Sequence, residues 1–149
     1  GFMIGGVLRG LFVATGVLVV IFPFLNLFPV NLFTLYFYIT MGSITFSLMG
    51  ILVGVFCKKF DQLSAVNNFF IAPLSFLSGT FYSVSKLPGP FDVISFFNPV
   101  FWLMDGVRFG ALGEAESNIF LGCLGIMSVN LILFLTVWKW FSVGYFLKD

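Results

Sequence analysis

The sequence has no histidine and very little charge, with seven Lys and Arg and six Asp and Glu among 149 residues, or 9%. An ordinary soluble domain carries about 25% charged residues, so this shortage, with 60% hydrophobic residues, excludes a soluble globular protein. Without histidine there is no Ser-His-Asp or Cys-His catalysis and no metal site that needs imidazole. The net charge of +1 gives no basic face for nucleic acid.

Motifs for redox, nucleotide and proton chemistry are also missing. Cys57 and Cys123 are too few and too far apart for a disulfide framework or a CxxC motif. No glycine is followed by lysine, so the sequence has no phosphate loop. No acidic residue stands inside a long apolar run, as a proton relay in a membrane would require. We therefore expect no cofactor in this chain, and nucleotide hydrolysis would have to come from another one.

Long uncharged runs dominate what is present. Residues 10–57 carry no charge, and as a single helix they would extend about 72 Å, more than twice the thickness of bilayer hydrocarbon. The run must therefore turn, and Pro23 and Pro29 mark the place, together with two nearby asparagines. This pattern predicts two membrane spans, span A at Met3–Phe24 and span B at Leu32–Cys57.

The second half predicts two more spans and a shorter apolar segment. Span C, Leu63–Val84, is interrupted by polar residues, proline and glycine, so we expect one of its sides to face protein or water. Residues 93–104 are too few to cross a bilayer, which favours a re-entrant or interfacial helix pair broken at Asn98-Pro99. Asp105 and the residues up to Glu116 would mark a return to the aqueous surface, and span D follows at Ser117–Trp138.

Together these segments predict an all-α membrane protein with four transmembrane helices and a re-entrant or interfacial helical segment before the last one. Alternating crossings divide the seven basic residues five to two between the sides. The larger group is Arg9, Lys58, Lys59, Lys139 and Lys148. By the positive-inside rule this side is cytoplasmic, so both ends of the chain would be cytoplasmic in a multi-pass protein of the plasma (inner) membrane.

Glycine pairs four residues apart permit close approach of helices in lipid. The pairs are Gly6/Gly10, Gly50/Gly54 and Gly106/Gly110. They fit packing inside one subunit, or the contact between two copies.

Charged residues between spans B and C have two possible roles. Lys58, Lys59 and Asp61 could dock a cytoplasmic partner, although basic residues at the cytoplasmic end of a span are also ordinary topology anchors. Asn67 and Asn68 could line a polar path for a substrate, or could hydrogen-bond a neighbouring helix.

Asp105 and Arg108 stand three residues apart, as in a surface ion pair on a helix. The alternative is a contact that controls an exterior gate.

Five ordered motifs stand between residues 67 and 110. They are Pro73-Leu74, Ser78-Gly79-x-Phe81-Tyr82, Leu87-Pro88, Asn98-Pro99 and Asp105-Gly106-x-Arg108-x-Gly110. In this order they resemble the family of type-2 ATP-binding-cassette (ABC-2) export permeases. Gly5-Gly6-x-x-Arg9-Gly10 and Lys59-Phe60-Asp61 are also similar to that family, so the resemblance covers essentially the whole sequence.

The resemblance implies a subunit with six spans and a broken fifth helix. The sequence begins with Gly1 and shows no signal peptide, so we expect residues 1–149 to be a fragment without its true N-terminus. The resemblance implies that this fragment is the C-terminal part of the subunit, with the third to sixth spans. The family implies a permease homodimer in the lipid bilayer, bound to two separate ATPase subunits that carry ATP and Mg²⁺. It also implies export of a polysaccharide, a lipid-linked glycan or a drug, without choosing among them.

The residues and the resemblance together give three candidate sites. A cytoplasmic surface that couples to the ATPase would hold Arg9, Lys58, Lys59 and Asp61. A transport path or broken helix would hold Asn67, Asn68, Pro73, Gly79, Phe81 and Tyr82. An exterior gate would hold Asn98, Pro99, Asp105 and Arg108.

Two other classes of function stay open at this point. A membrane-embedded enzyme acting on lipid-linked substrates would use the exterior acidic residues Asp92, Asp105, Glu114 or Glu116, although their spacing forms no convincing acid/base or metal site. A purely structural membrane subunit is the other alternative.

Overall fold

The computed structural model describes residues 2–25, 28–57, 59–78 and 97–143. Every regular element in these ranges is helical, which confirms the all-α class. The elements are α1 Phe2–Leu25, α2 Leu32–Phe56, α3 Phe60–Val66, a π-helical segment Asn67–Ile71, α4 Ala72–Leu77, α5 Pro99–Leu112 and α6 Ile119–Ser142.

Three helices in the described ranges are long and apolar enough to cross a membrane: α1, α2 and α6. They correspond to spans A, B and D of the sequence analysis. Span A matches at both ends, α2 ends one residue before the predicted Cys57, and α6 runs from Ile119 to Ser142 instead of Ser117–Trp138. These three spans are confirmed by length and composition, and the fourth span stays a prediction.

Three of the helices have an asparagine as the N-cap residue, whose side chain accepts a hydrogen bond from the first turn. Asn31 Oδ1 accepts from Thr34 N–H at 3.3 Å at the start of α2, and Asn118 Oδ1 accepts from Phe120 N–H at 3.0 Å at the start of α6. Asn98 does the same at the start of α5. The first N–H groups of a helix have no partner inside it, and such groups are costly near lipid, so each asparagine stabilises a helix end at the edge of an apolar run.

Helix α2 is the centre of the bundle, because α1, α5 and α6 all pack against it. Helix α1 runs antiparallel to α2, with Gly6 against Ser47 and Gly10 against Ser43. A Cβ on either glycine would overlap the facing serine hydroxyl, so the pair serves close packing within the chain.

Helix α5 also runs antiparallel to α2 and is even closer to it. Gly106 lies against the ring of Tyr38, and a Cβ on Gly110 would stand 2.6 Å from the backbone of Leu35. Leu103 lies beside Gly42, so the first turn of α5 is level with the middle of α2. In contrast, no neighbouring helix in the described ranges comes within 4 Å of a Cβ on Gly50.

Helix α6 runs parallel to α2 and is joined to it by polar contacts. Tyr38 Oη donates to the carbonyl oxygen of Ile119 at 2.8 Å. Further along, the buried Thr45 hydroxyl lies 2.8 Å from both Asn130 Oδ1 and the Met41 carbonyl oxygen. Asn130 Nδ2 donates to the same Met41 carbonyl at 3.3 Å, so both the oxygen and the nitrogen of the Asn130 amide have hydrogen-bond partners on α2.

Because α2 and α6 are parallel, charged residues of different sign lie at opposite ends of the bundle. The rings of Phe56 and Trp140 are in edge contact, with centroids 4.8 Å apart, so α2 and α6 end at the same side of the bundle. Lys59 and Lys139 stand at that side. Glu116 stands at the opposite side, where α5 ends and α6 begins.

One prediction about the apolar segment before α6 is wrong. Asp105 was expected at the aqueous surface, but α5 runs without interruption from Pro99 to Leu112 and leaves Asp105 only 2% exposed. The helix ends at Gly113, whose φ of 79° is a left-handed conformation that favours glycine. Residues 93–96 lie outside the described ranges.

Candidate functional site

Polar side chains collect where α5 meets the connection to α6. We call Asp105, Arg108, Glu116 and Ser117 the α5–α6 cluster. Two residues come from α5, the buried Asp105 and the partly exposed Arg108, and two from the connecting segment 113–118. The cluster contains two of the four residues expected at an exterior gate.

The Asp105 carboxylate holds the connecting segment against α5. Oδ1 accepts from Glu116 N–H at 2.8 Å, and Oδ2 accepts from Ser117 N–H at 2.9 Å and from the Ser117 hydroxyl. A buried carboxylate needs such donors, because burial without them is unfavourable. The connecting segment therefore depends on Asp105 for its conformation.

Arg108 has a different ion-pair partner from the one expected. Its guanidinium lies 2.7 Å from Glu116 Oε1, with the two side chains 27% and 17% exposed. The interpretation of Asp105 and Arg108 as a surface ion pair is wrong, because Asp105 is turned inward to backbone donors. The pair with Glu116 lies at the rim of the cluster, where water reaches it and weakens it.

The start of α5 is fixed by a second buried polar residue, Asn98. Its Oδ1 accepts from Val100 N–H at 3.0 Å, and its Nδ2 donates to the Leu74 carbonyl oxygen at 2.7 Å. Leu74 is in the last turn of α4, where carbonyl groups lack partners in their own helix. Asn98 thus joins α4 to α5, and Pro99 is the first residue of α5, a position that needs no N–H donor.

The predicted interruption of span C is visible as a π-helical segment. Pro73 has no N–H and its ring would clash with a preceding carbonyl in a regular α-helix. The turn before it is widened, and Ala72 N–H bonds the Asn67 carbonyl oxygen five residues earlier. The helix is distorted but continues from α3 to Leu77. Such single π-helical turns are frequent at functional sites.

Asn67 and Asn68 lie in this segment with exposed side chains. No hydrogen bond joins either side chain to another helix in the described ranges, so the alternative of a helix-to-helix bond has no support there. The role in a substrate path stays a prediction. Gly79, Phe81 and Tyr82, predicted for the same site, lie outside the described residues.

The candidate coupling residues do not form one group. Lys59 and Asp61 are exposed at the start of α3, where Gln62 Oε1 accepts from the Lys59 N–H at 3.4 Å. Lys58 lies outside the described residues. Arg9 is elsewhere, inside α1 and level with Ser43 in the middle of α2, and so belongs to a helix and not to a loop.

Sequence reasoning missed three polar contacts within the bundle. Tyr38, the Thr45–Asn130 pair and the donors of Ser117 were not singled out. For Tyr38, Thr45 and Asn130 the signal is a polar group inside a long uncharged run, because a polar group in a span needs a partner. Ser117 stands among other polar residues and gives no such signal. In the described part of the chain, no three Cys, Asp or Glu residues lie close enough together to hold a metal ion.

Comparison with known proteins gives one family. The profile of the ABC-2 type transporter family matches residues 1–112. The chain is 35% identical over 153 aligned residues to the inner membrane transport permease YadH of Escherichia coli K12, covering all of this chain and 58% of the relative. Nodulation protein J of Rhizobium leguminosarum bv. viciae is 26% identical over 95 residues, 64% of this chain and 36% of the relative. No solved structure matches. The chain thus spans less than two thirds of the length of these curated relatives.

Proposed function

Because this chain belongs to the ABC-2 type transporter family, we propose that it is part of the permease subunit of an ATP-driven exporter in the inner membrane. The match of the family profile to residues 1–112, with identity to a transport permease along the whole chain, carries the proposal. ATP and Mg²⁺ bind on a separate ATPase subunit. The permease supplies the membrane path and has no ATPase site of its own.

The proposed permease has six spans, of which this chain holds the last four. Helices α1, α2 and α6 are three of them, and the distorted helix from α3 to α4 begins another. Helix α5 has 14 residues, a length of about 21 Å, and its first turn is level with the middle of α2. These dimensions support a re-entrant helix that reaches only part of the way through the bilayer.

We place the end of the bundle with Lys59 and Lys139 in the cytoplasm. The positive-inside rule supports this orientation, since basic residues collect at that end and Glu116 at the other. Lys58, Lys59 and Asp61 then form the surface that meets the ATPase. Two permease copies face each other in the complex, and substrate moves outward between them.

Helix α5 is proposed as the moving part of the exterior gate. Asn98 attaches its start to α4, and Asp105 attaches its middle to the connection with α6. A displacement of α4 is therefore passed to the exterior surface through hydrogen bonds at the start and at the middle of one rigid helix. The path below it includes Asn67, Asn68 and Pro73, and the transported substrate is a polysaccharide, a lipid-linked glycan or a drug.

Inverted membrane vesicles that contain the full-length permease and its ATPase test this function. We expect ATP-dependent accumulation of a probe from one of the three substrate classes. Reversing the charge with Lys58→Glu and Lys59→Glu should abolish accumulation while the ATPase stays active, because the coupling surface is lost.

The matched control is Lys139→Glu, which reverses a charge at the same end of the bundle on another helix. It should leave transport unchanged. If no class accumulates and the permease does not alter the rate of ATP hydrolysis, the proposed function is wrong.

A further inference from the structure

A groove runs along one side of the bundle between α1 and α5, with α2 as its floor. Its volume is about 570 Å³, within the range of small-molecule sites. We call it the Arg9 groove. Its apolar wall includes Val13, Ala14, Phe46 and Met104.

Among the residues that the structure describes, Arg9 is the only charged one that lines this groove. In the described ranges the guanidinium has no hydrogen bond and no salt bridge, and no acidic residue faces the groove. The hydroxyl groups along the floor already donate to backbone carbonyls: Ser43 to Ile39 at 2.9 Å and Ser47 to Met3 at 3.3 Å. The groove thus presents a cation without a counter-ion beside an apolar surface.

The position of Arg9 in α1 decides how deep its charge lies in the membrane and toward which end of the groove it extends. Arg9 is about two turns from the start of a helix that can span a membrane. Side chains of a helix lean toward its N-terminus, and long arginine side chains extend toward the nearest headgroups. The guanidinium is therefore directed to the Met3 end, while Val13 and Ala14 continue toward the bilayer interior. A charge in this place is costly unless an anion or water accompanies it.

We propose that the Arg9 groove binds one anionic phospholipid from the surrounding bilayer. Its phosphate contacts the Arg9 guanidinium, and one acyl chain lies against the apolar wall. The charge and the surface of the groove both fit this occupant, because arginine binds phosphate oxygens with two parallel hydrogen bonds and the remaining surface is mostly apolar, with its serine hydroxyls already bonded to backbone carbonyls. The site does not depend on which substrate the permease transports.

Lipid titration of the full-length permease tests the proposal. The purified, delipidated protein is titrated with phosphatidylglycerol or with phosphatidylcholine, and bound lipid is counted by native mass spectrometry. We expect Arg9→Gln to weaken phosphatidylglycerol binding about fivefold, the effect of one basic residue near a membrane surface. Arg9→Lys keeps the charge but loses the two parallel hydrogen bonds, so it should weaken binding less than Arg9→Gln does. Lys139→Gln removes a cation on another helix away from the groove and should change nothing.

A second variant tests the groove without altering the charge. Ala14→Phe fills part of the apolar wall and should also weaken phosphatidylglycerol binding. The proposal is overturned if Arg9→Gln binds phosphatidylglycerol as the parent does, if phosphatidylcholine binds equally well, or if inorganic phosphate competes as effectively as the lipid. It is also overturned if Arg9→Gln separates the permease dimer, because Arg9 would then pair with a second copy of the chain.

Discussion

Replacing Gly110 with alanine perturbs a close contact between α5 and the backbone of α2. The new Cβ would stand 2.6 Å from the N and Cα atoms of Leu35, and backbone atoms cannot rotate away. Helix α5 would have to move outward by about 0.8 Å to reach 3.4 Å, where ordinary contact begins. That movement also lengthens the 3.0 Å bond from Asn31 N–H to the Gly110 carbonyl oxygen. Overpacking costs about 1–3 kcal/mol and a lost hydrogen bond about 1 kcal/mol, so we expect Gly110→Ala to lower the free energy of unfolding by about 2–4 kcal/mol.

The measurement is SDS-induced unfolding of the full-length permease in mixed micelles. Gly50→Ala is the matched control. Gly50 also has a glycine four residues away, but no neighbouring helix in the described part of the chain lies within 4 Å of its added Cβ. The control should leave the free energy of unfolding unchanged or raise it by up to about 1 kcal/mol, because alanine favours a helix interior more than glycine does. If the two variants unfold alike, the close approach of α5 to α2 is refuted.

Three further changes test the polar contacts and the distorted helix. Asp105→Asn replaces an acceptor oxygen with a donor that faces N–H groups, so the free energy of unfolding should fall by about 2 kcal/mol and residues 113–118 should become more sensitive to protease. The control Glu114→Gln, at an exposed position, should change neither quantity. If the two variants behave alike, Asp105 does not anchor the connecting segment. Thr45→Val removes a partner of Asn130 and should cost about 0.6–1.7 kcal/mol in SDS unfolding, and no loss would contradict the polar link between α2 and α6. Pro73→Ala restores a donor, so amide hydrogen exchange should slow across the preceding turn, and unchanged exchange would show that Pro73 does not cause the π-helical geometry.

The long spans were predictable because length and charge decide them. A stretch without charge must stay in hydrocarbon and must turn when it exceeds the bilayer, which fixes α1, α2 and α6 to within a few residues at most ends. Asn31 and Asn118 mark two of the starts in the sequence itself, since a side-chain acceptor there satisfies the first N–H groups.

The environment of Asp105 could not be predicted in the same way. Charge alone placed this residue in water, but its donors are backbone N–H groups 11 and 12 positions later, and no side-chain pattern encodes such a contact. Arg108 illustrates the same limit, because three-residue spacing favoured Asp105 while the fold brings Glu116 to it. For span C the sequence predicts interruptions at Asn67, Asn68, Pro73 and Gly79, but only the backbone reveals that the turn before Pro73 is widened. Gly79 lies outside the described residues, so a break there stays a prediction.

Affinity purification of the full-length permease from its native membrane, in a mild detergent, tests the central proposal most directly. The account predicts that a phosphate-loop ATPase co-purifies in a one-to-one ratio with the permease, and that it hydrolyses ATP at a different rate in the complex than alone. An intact, dimeric permease that purifies from every detergent without an ATPase would contradict it.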